Sequence, residues 1–147
     1  MNGEPVLIML VEDNVDHAEL VMRTLADHRI RNEIRHFVDG QAALDYLLRK
    51  GEYADATRSP RPHLILLDLR LPRVDGLEVL TTIKQSEDLR RIPVVVLTTS
   101  EADRDVAQAY YRHVNSYLVK PVDFERFGKL MDDLGFYWLL WNTQVRD

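Results

Sequence analysis

The fold of this chain is constrained most by its short, uninterrupted apolar runs. A polar or charged residue follows each of them directly. Residues 64–67 are apolar throughout and are followed by Asp68. Residues 6–11 form a second such run, which is followed by Glu12 and Asp13. An apolar run of this length without alternation is typical of a strand buried on both faces, as in a parallel sheet covered by helices. The pattern therefore predicts an α/β protein.

Segments with helical periodicity separate these runs. The predicted strands are about 6–12, 32–37, 63–68, 93–98 and 115–119, and the predicted helices are about 15–28, a helix that includes residues 42–48, then 75–86, 102–112 and 122–134. Asn14 or Asp13 is a candidate N-cap of the first helix. The polar segment 49–62, which contains Gly51 and two prolines, is predicted to be an exposed loop. The alternation predicts a single (βα)5 unit with a parallel sheet covered by helices on both faces, that is, a doubly wound sheet. For its strand order we expect the flavodoxin-like arrangement 2-1-3-4-5.

Composition excludes several classes of protein. A chain of 147 residues with a net charge of −5 is most simply one domain, and its charges are too dispersed for broad capture of nucleic acid. It contains no cysteine, which excludes a thiolate metal site and fits a reducing compartment. No apolar stretch approaches the roughly 20 residues of a membrane span, and the first residues do not resemble a signal peptide. We therefore expect a cytoplasmic protein that contacts neither DNA nor a membrane.

Charged and hydroxyl side chains follow the predicted strands at positions where a parallel sheet would bring them together. Glu12, Asp13 and Asp68 would share one edge, where three carboxylates are tolerable only with a cation or a raised pKa. Oxygen ligands favour a hard ion, Mg²⁺ first and Mn²⁺ second, whereas the histidines form no ligand pair at metal-binding spacing. Thr98 ends one further strand and Lys120 follows another, and hydroxyl and ammonium groups bind phosphate oxygens.

Together these motifs resemble the receiver domain of two-component response regulators. The matching motifs are VEDN at 11–14, LLDLRLPRVDG at 66–76, PVVVLTTS at 93–100 and YLVKP at 117–121, and the resemblance covers residues 5 to about 134. It implies that Asp68 accepts a phosphoryl group from a sensor histidine kinase. It also implies a signalling protein rather than an enzyme, with self-catalysed phosphotransfer and slow autodephosphorylation only.

The resemblance assigns roles to the residues around Asp68. Asp13 would bind Mg²⁺ directly and Glu12 often through water, and the backbone carbonyl of Arg70 would complete the protein ligands. The side chain of Arg70 either contacts the phosphoryl group or extends into solvent.

Three further residues receive roles from the same resemblance. Thr98 and Lys120 would hold the phosphoryl oxygens. Tyr117 resembles the switch aromatic whose rotamer follows Thr98, although it could equally be a packed strand residue.

The end of the chain carries four aromatics within residues 135–141. They could form a short helix over the core of the same domain, or an exposed surface for self-association. We expect residues 1–134 to form the receiver domain and residues 135–147 an aromatic extension of it, with no output domain. The segment 51–72 and this tail resemble the stand-alone regulators that pair with bacterial phytochromes. That resemblance implies a homodimer through residues 102–119, the helix ending near Leu134 and the tail.

Several other functions are compatible with parts of this pattern. A haloacid-dehalogenase-type phosphatase also has an Asp after an apolar strand, but it needs a second Asp where this chain has Arg70. A nucleotide-binding module would need a glycine-rich phosphate loop, and the chain has none. An inert interaction scaffold would not need all the site residues. A monomeric shuttle that passes phosphate to a histidine phosphotransfer protein remains the alternative to a dimeric switch.

Overall fold

The computed structural model describes residues 5–26, 31–98 and 116–119, together with the helical residues 102, 105, 125, 126, 129, 132 and 133. The elements are β1 (Val6–Val11), α1 (Val15–Ala26), β2 (Asn32–Phe37), α2 (Gly40–Leu47), β3 (Leu64–Asp68), α3 (Gly76–Gln85), β4 (Val94–Thr98) and β5 (Ser116–Val119). Short 3₁₀ helices span Gly51–Tyr53 and Leu89–Arg91. The predicted helices over 102–112 and 122–134 lie mostly outside the described residues, and the tail 135–147 lies wholly outside them. Among the described helices, none is long and apolar enough to cross a membrane.

The five strands form one parallel sheet in the order β2-β1-β3-β4-β5, which confirms the predicted order. Strands β1, β3 and β4 are buried along their whole length, as their continuous apolar runs predicted. Strand β2 lies at the sheet edge and is buried only in part, which fits its mixture of polar and apolar residues.

Apolar side chains form a core layer on each face of the sheet, because successive side chains of a strand point to opposite faces. On one face, α2 and α3 pack against Met9, Val11, Ile65, Leu67, Val94 and Val96. On the other face, α1 packs against Ile8, Leu10, Leu64, Leu66, Val95 and Leu97. Helices therefore cover both faces, as the doubly wound arrangement requires.

Helices α1 and α2 begin at residues whose side chains cap them. The Oδ1 atom of Asn14 accepts a hydrogen bond from the backbone N–H of His17 at 3.0 Å, which confirms Asn14 as an N-cap of α1. The Oδ1 atom of Asp39 accepts one from the N–H of Ala42 at 2.7 Å at the start of α2. Each cap lies two or three residues after the end of a strand, so the chain reverses direction at the same edge of the sheet.

The segment 49–62 is not wholly exposed, and to that extent the prediction of an exposed loop was wrong. Ser59 is fully buried, and its hydroxyl donates to the carbonyl of Tyr53 at 2.9 Å. The hydroxyl of Tyr46 donates to the carbonyl of Pro60 at 2.6 Å, and burial raises the pKa of Tyr46, so the hydroxyl stays protonated at neutral pH. The rings of Tyr53 and Phe37 pack on Tyr46 with centroids 5.1 and 5.2 Å away. Polar residues order this loop because they satisfy its backbone carbonyls.

Arg61 ties this loop to the end of α2 and should contribute to stability. Its Nη1 donates to the carbonyl of Leu47 at 2.6 Å, and its Nη2 lies 2.6 Å from the Oδ2 atom of Asp88. We expect Arg61→Ala to lower the free energy of unfolding by about 1–2 kcal/mol, because a charged donor at a helix C-terminus is lost. Asp88→Ala should cost less than about 1 kcal/mol, because the Asp88 side chain is 62% exposed. Urea denaturation measures both values, and equal losses would contradict this assignment.

Candidate functional site: an acidic strand edge

The carboxyl ends of three neighbouring strands bring the predicted site residues together. Val11 pairs with Leu67 across β1 and β3, so Glu12 and Asp13 follow β1 beside Asp68, the last residue of β3. Asp68 in turn pairs with Leu97 of β4, and Thr98 is the last residue of that strand. The predicted grouping of Glu12, Asp13, Asp68 and Thr98 at one edge therefore follows from the parallel register.

Three carboxylates form a compact cluster at this edge. One oxygen from each of Glu12, Asp13 and Asp68 lies within 4.8 Å of the other two. Glu12 is fully buried, Asp68 is 4% exposed and Asp13 faces solvent. Two oxygen ligands at about 2.1–2.4 Å from a shared ion are at most about 4–5 Å apart, so the spacing fits one Mg²⁺-like or Ca²⁺-like cation. Buried carboxylates that face one another also need a positive partner, which such a cation would supply.

Backbone and histidine groups fix the position of Glu12. Its N–H donates to the carbonyl of Phe37 at 3.0 Å, and its own carbonyl lies 2.7 Å from the Nε2 atom of His36. Its carboxylate accepts from the N–H of Asn14 at 3.3 Å and lies 3.8 Å from the Nδ1 atom of His17. Two residues of β2 therefore hold the backbone of Glu12 in place at the carboxyl end of β1.

The spacing of the histidines in the sequence pointed to no role for His36 or His17 at this site, so their contacts with Glu12 were not predicted. His36 pairs with Leu10, two residues before Glu12, so the strand register would have revealed its proximity. His17 lies in the first turn of α1, where its place beside Glu12 depends on how that helix packs on the sheet.

Asp68 is held by the loop that follows it. Its Oδ1 atom accepts a hydrogen bond from the N–H of Arg70 at 3.0 Å. The N–H of Leu69 donates to the carbonyl of Leu97 at 3.2 Å, and the N–H of Gly76 donates to the carbonyl of Leu69 at 3.0 Å. A Cβ atom at Gly76 would lie 2.2 Å from the carbonyl oxygen of Asp68, so only glycine allows α3 to begin this close to the acidic residue. The backbone contacts fix the path of the loop, and the bond from Arg70 N–H orients the Asp68 carboxylate.

The remaining predicted residues are described only in part. Thr98 is fully buried and pairs with Val119, the last residue of β5. Lys120 comes directly after Val119 and lies outside the described residues. The backbone of Tyr117 pairs with Val96 in the sheet, whereas its side chain lies outside the described part of the chain. The roles of Lys120 and Tyr117 therefore stay predictions.

The fold and the acidic edge agree with a match to a known family. The family model of the response regulator receiver domain matches residues 8–132 of the sequence. The chain therefore belongs to the response regulator receiver domain family, as its motifs predicted.

Curated relatives match nearly the whole chain. A probable methanogenesis regulatory protein, FilR2 of Methanothrix harundinacea (strain 6Ac), is 52% identical over 140 residues, which are 95% of this chain and 87% of that protein. The response regulator Rcp1 of Synechocystis sp. (strain ATCC 27184 / PCC 6803 / Kazusa) is 47% identical over 138 residues, which are 94% of this chain and 92% of Rcp1.

Solved structures narrow the similarity to regulators of phytochrome systems. The bacteriophytochrome response regulator RtBRR superposes with a TM-score of 0.80 at 45% identity, over 90% of this chain and 79% of that one. The Mn²⁺-bound form of Rcp1 gives a TM-score of 0.76 at 47% identity, over 92% and 95%. The phosphorylated cyanobacterial phytochrome response regulator RcpA gives 0.76 at 41% identity, over 92% and 95%. The predicted resemblance to phytochrome-associated regulators is thus confirmed.

Proposed function

We propose that this protein accepts a phosphoryl group from a sensor histidine kinase onto Asp68, with Mg²⁺ held by Glu12, Asp13, Asp68 and the backbone carbonyl of Arg70. The observation that carries the proposal is the set of three carboxylate oxygens within 4.8 Å of one another, one of them from a strand-end aspartate. Phosphorylated RcpA and Mn²⁺-bound Rcp1 support it, because both are similar to this chain over 92% of its length.

In the proposed reaction, a carboxylate oxygen of Asp68 attacks the phosphorus of a phosphohistidine. A P–O bond forms, the P–N bond breaks, and the electron pair returns to the imidazole nitrogen, which takes up a proton from water. The hydrogen bond from Arg70 N–H to Oδ1 orients the attacking carboxylate. The bound cation would supply charge neutralisation for the transferred group. Thr98 and Lys120 would hold the phosphoryl oxygens through their hydroxyl and ammonium groups.

Exposure of Asp13 bears on access to the site. Glu12 and Asp68 are buried, so the donor would approach from the side on which Asp13 meets solvent. The chemistry of the protein would be limited to its own phosphorylation and slow dephosphorylation. Its effect on other molecules would come from contacts made by its surface.

The direct test measures phosphate uptake by the purified protein. With acetyl phosphate and Mg²⁺, we expect intact mass spectrometry to show the addition of one phosphoryl group. The same mixture with excess EDTA should give no adduct, because the carboxylate cluster then lacks its neutralising cation. Absence of an adduct at every donor concentration, or equal uptake in EDTA, would contradict the proposal.

For the partner, we propose a histidine kinase of the phytochrome type, acting in the cytoplasm, where such a kinase would have access to ATP. The similarity to RcpA and RtBRR supports this partner. A phosphotransfer assay can compare a phytochrome kinase with unrelated histidine kinases at equal concentration. Preferential transfer from the phytochrome kinase is the expected result, and transfer at equal rates from all kinases would contradict the pairing.

We also propose that residues 1–134 form the receiver domain, and that residues 102–119, the helix ending near Leu134 and the aromatic extension 135–147 form a dimer surface. Phosphorylation would act on this surface through Thr98 and Tyr117, by shifting the equilibrium between two conformations of the surface. The free energy of that shift would be no larger than the difference between the interaction free energies of the phosphoryl group with the two conformations.

Sedimentation of the wild type and of a chain truncated after Leu134, with and without beryllofluoride, tests this surface. We expect a dimer that weakens on truncation, because the tail holds four aromatics within residues 135–141. If all samples are monomeric over a broad concentration range, the protein is instead a monomeric phosphorelay shuttle.

A further inference from the structure

The loop that follows Asp68, residues 69–75, lies directly against the start of α2. Gly40, the first residue of α2, is buried at this contact. A Cβ atom at Gly40 would lie 1.9 Å from the carbonyl oxygen of Val74 and 2.8 Å from its carbonyl carbon. Those are backbone atoms, which cannot rotate away as the end of a side chain can. The loop can therefore follow its observed path only because residue 40 has no side chain.

Two polar contacts accompany this close approach. The N–H of Gly40 donates to the carbonyl of Pro72 at 3.4 Å. The carboxylate of Asp39 caps α2 through Oδ1, and its Oδ2 atom lies 3.9 Å from the Nη1 atom of Arg73. The turn before α2 thus contacts the middle of the loop, while Gly76 holds the end of the loop against Asp68.

We propose that Gly40 is a positioning residue for the acidic site, although it is far from Asp68 in the sequence and belongs to none of the site motifs. It would act through the path of the loop: Val74 is placed against α2, and the same loop carries the Arg70 N–H that orients Asp68. The inference rests on the proposed function in one respect, which is that the carboxylate cluster binds a divalent cation.

Helix propensity helps to distinguish a positioning role of Gly40 from that of a helix residue without a close neighbour. Alanine is normally preferred to glycine within a helix, so a helix start without a close neighbour would gain stability or stay unchanged on Gly40→Ala. Because of the contact with Val74, we expect Gly40→Ala to lower the stability of the protein instead, and to displace the loop.

The test compares Gly40→Ala with wild type by two measurements. Hydrogen exchange on the metal-free protein should show faster exchange of the Val74 and Gly76 amides, whose acceptors are Pro72 and Leu69. Mn²⁺ affinity, measured by electron paramagnetic resonance of the free ion, should fall about 10-fold or more, as is common when groups that orient metal ligands are disturbed. Arg61→Ala is the control, because it removes contacts of α2 at Leu47, at its other end, and should leave Mn²⁺ affinity unchanged.

A second variant covers the case in which Gly40→Ala does not fold. Val74→Gly leaves α2 unchanged and removes the side chain by which Val74 packs against the core beside Gly40. It therefore frees the loop without introducing a clash, and it should also speed exchange at Gly76 and weaken Mn²⁺ binding. Unchanged exchange and unchanged Mn²⁺ affinity in a folded variant would overturn the inference and leave the proposed function standing. Failure of the wild type itself to bind Mn²⁺ would instead overturn the proposed function, and this inference with it.

Discussion

Asp68→Asn should abolish phosphorylation of the protein by acetyl phosphate or by a histidine kinase. The amide has nearly the same shape as the carboxylate, and its oxygen can still accept the hydrogen bond from Arg70 N–H, so the fold should be kept. The nucleophilic carboxylate oxygen is lost, because an amide does not form an acyl phosphate under these conditions. Intact mass spectrometry after incubation with the donor and Mg²⁺ should detect no adduct.

Asp16→Asn is the matched control for this experiment. Asp16 is an exposed carboxylate in the first turn of α1, and the same substitution there should leave phosphate uptake at the wild-type level. If Asp68→Asn and wild type take up phosphate equally, another residue is the acceptor. The strand-end position of Asp68 would then have been misinterpreted.

Asp13→Asn should weaken divalent cation binding on the order of 100-fold. The substitution removes one of the clustered negative charges, and a full charge at ligand distance from a divalent ion contributes several kcal/mol even with strong solvent screening. Calorimetric titration with Mg²⁺ and Mn²⁺ measures the change directly. It needs no phosphoryl donor, so it reports on the metal site alone.

Asp16→Asn again serves as the control, since it removes the same charge three residues away from Asp13 without touching the cluster. It should change affinity only a few-fold, and this small effect should disappear as salt screens exposed charges. Equal affinity of Asp13→Asn and wild type would show that the acidic cluster is not the cation site.

Much of the fold could be predicted because burial leaves a strong pattern in the sequence. Residues 64–67 and 94–97 are continuous apolar runs because helices cover both faces of their strands. The buried part of segment 49–62 was not predicted, because its order depends on bonds from single side chains to distant carbonyls. The bond from Tyr46 to Pro60 is an example, and no periodicity reports it.

The acidic site could be predicted for a related reason. Parallel strands end at a common edge, so a carboxylate immediately after an apolar run is placed at that edge by topology alone. Glu12, Asp13 and Asp68 were found in this way. His36 was not, because its contact with Glu12 crosses to the edge strand and depends on the register of β1 against β2.

The sequence by itself determined the alternation of strands and helices and the identity of the acidic residues, because each depends on local patterns or on a general rule of topology. Only the tertiary structure decided how that edge is supported. The approach of Val74 to Gly40 and the bond between His36 and Glu12 join segments that are far apart in the chain. Such contacts depend on how close two backbones come, a distance set by packing of the whole core, and no single stretch of residues encodes it.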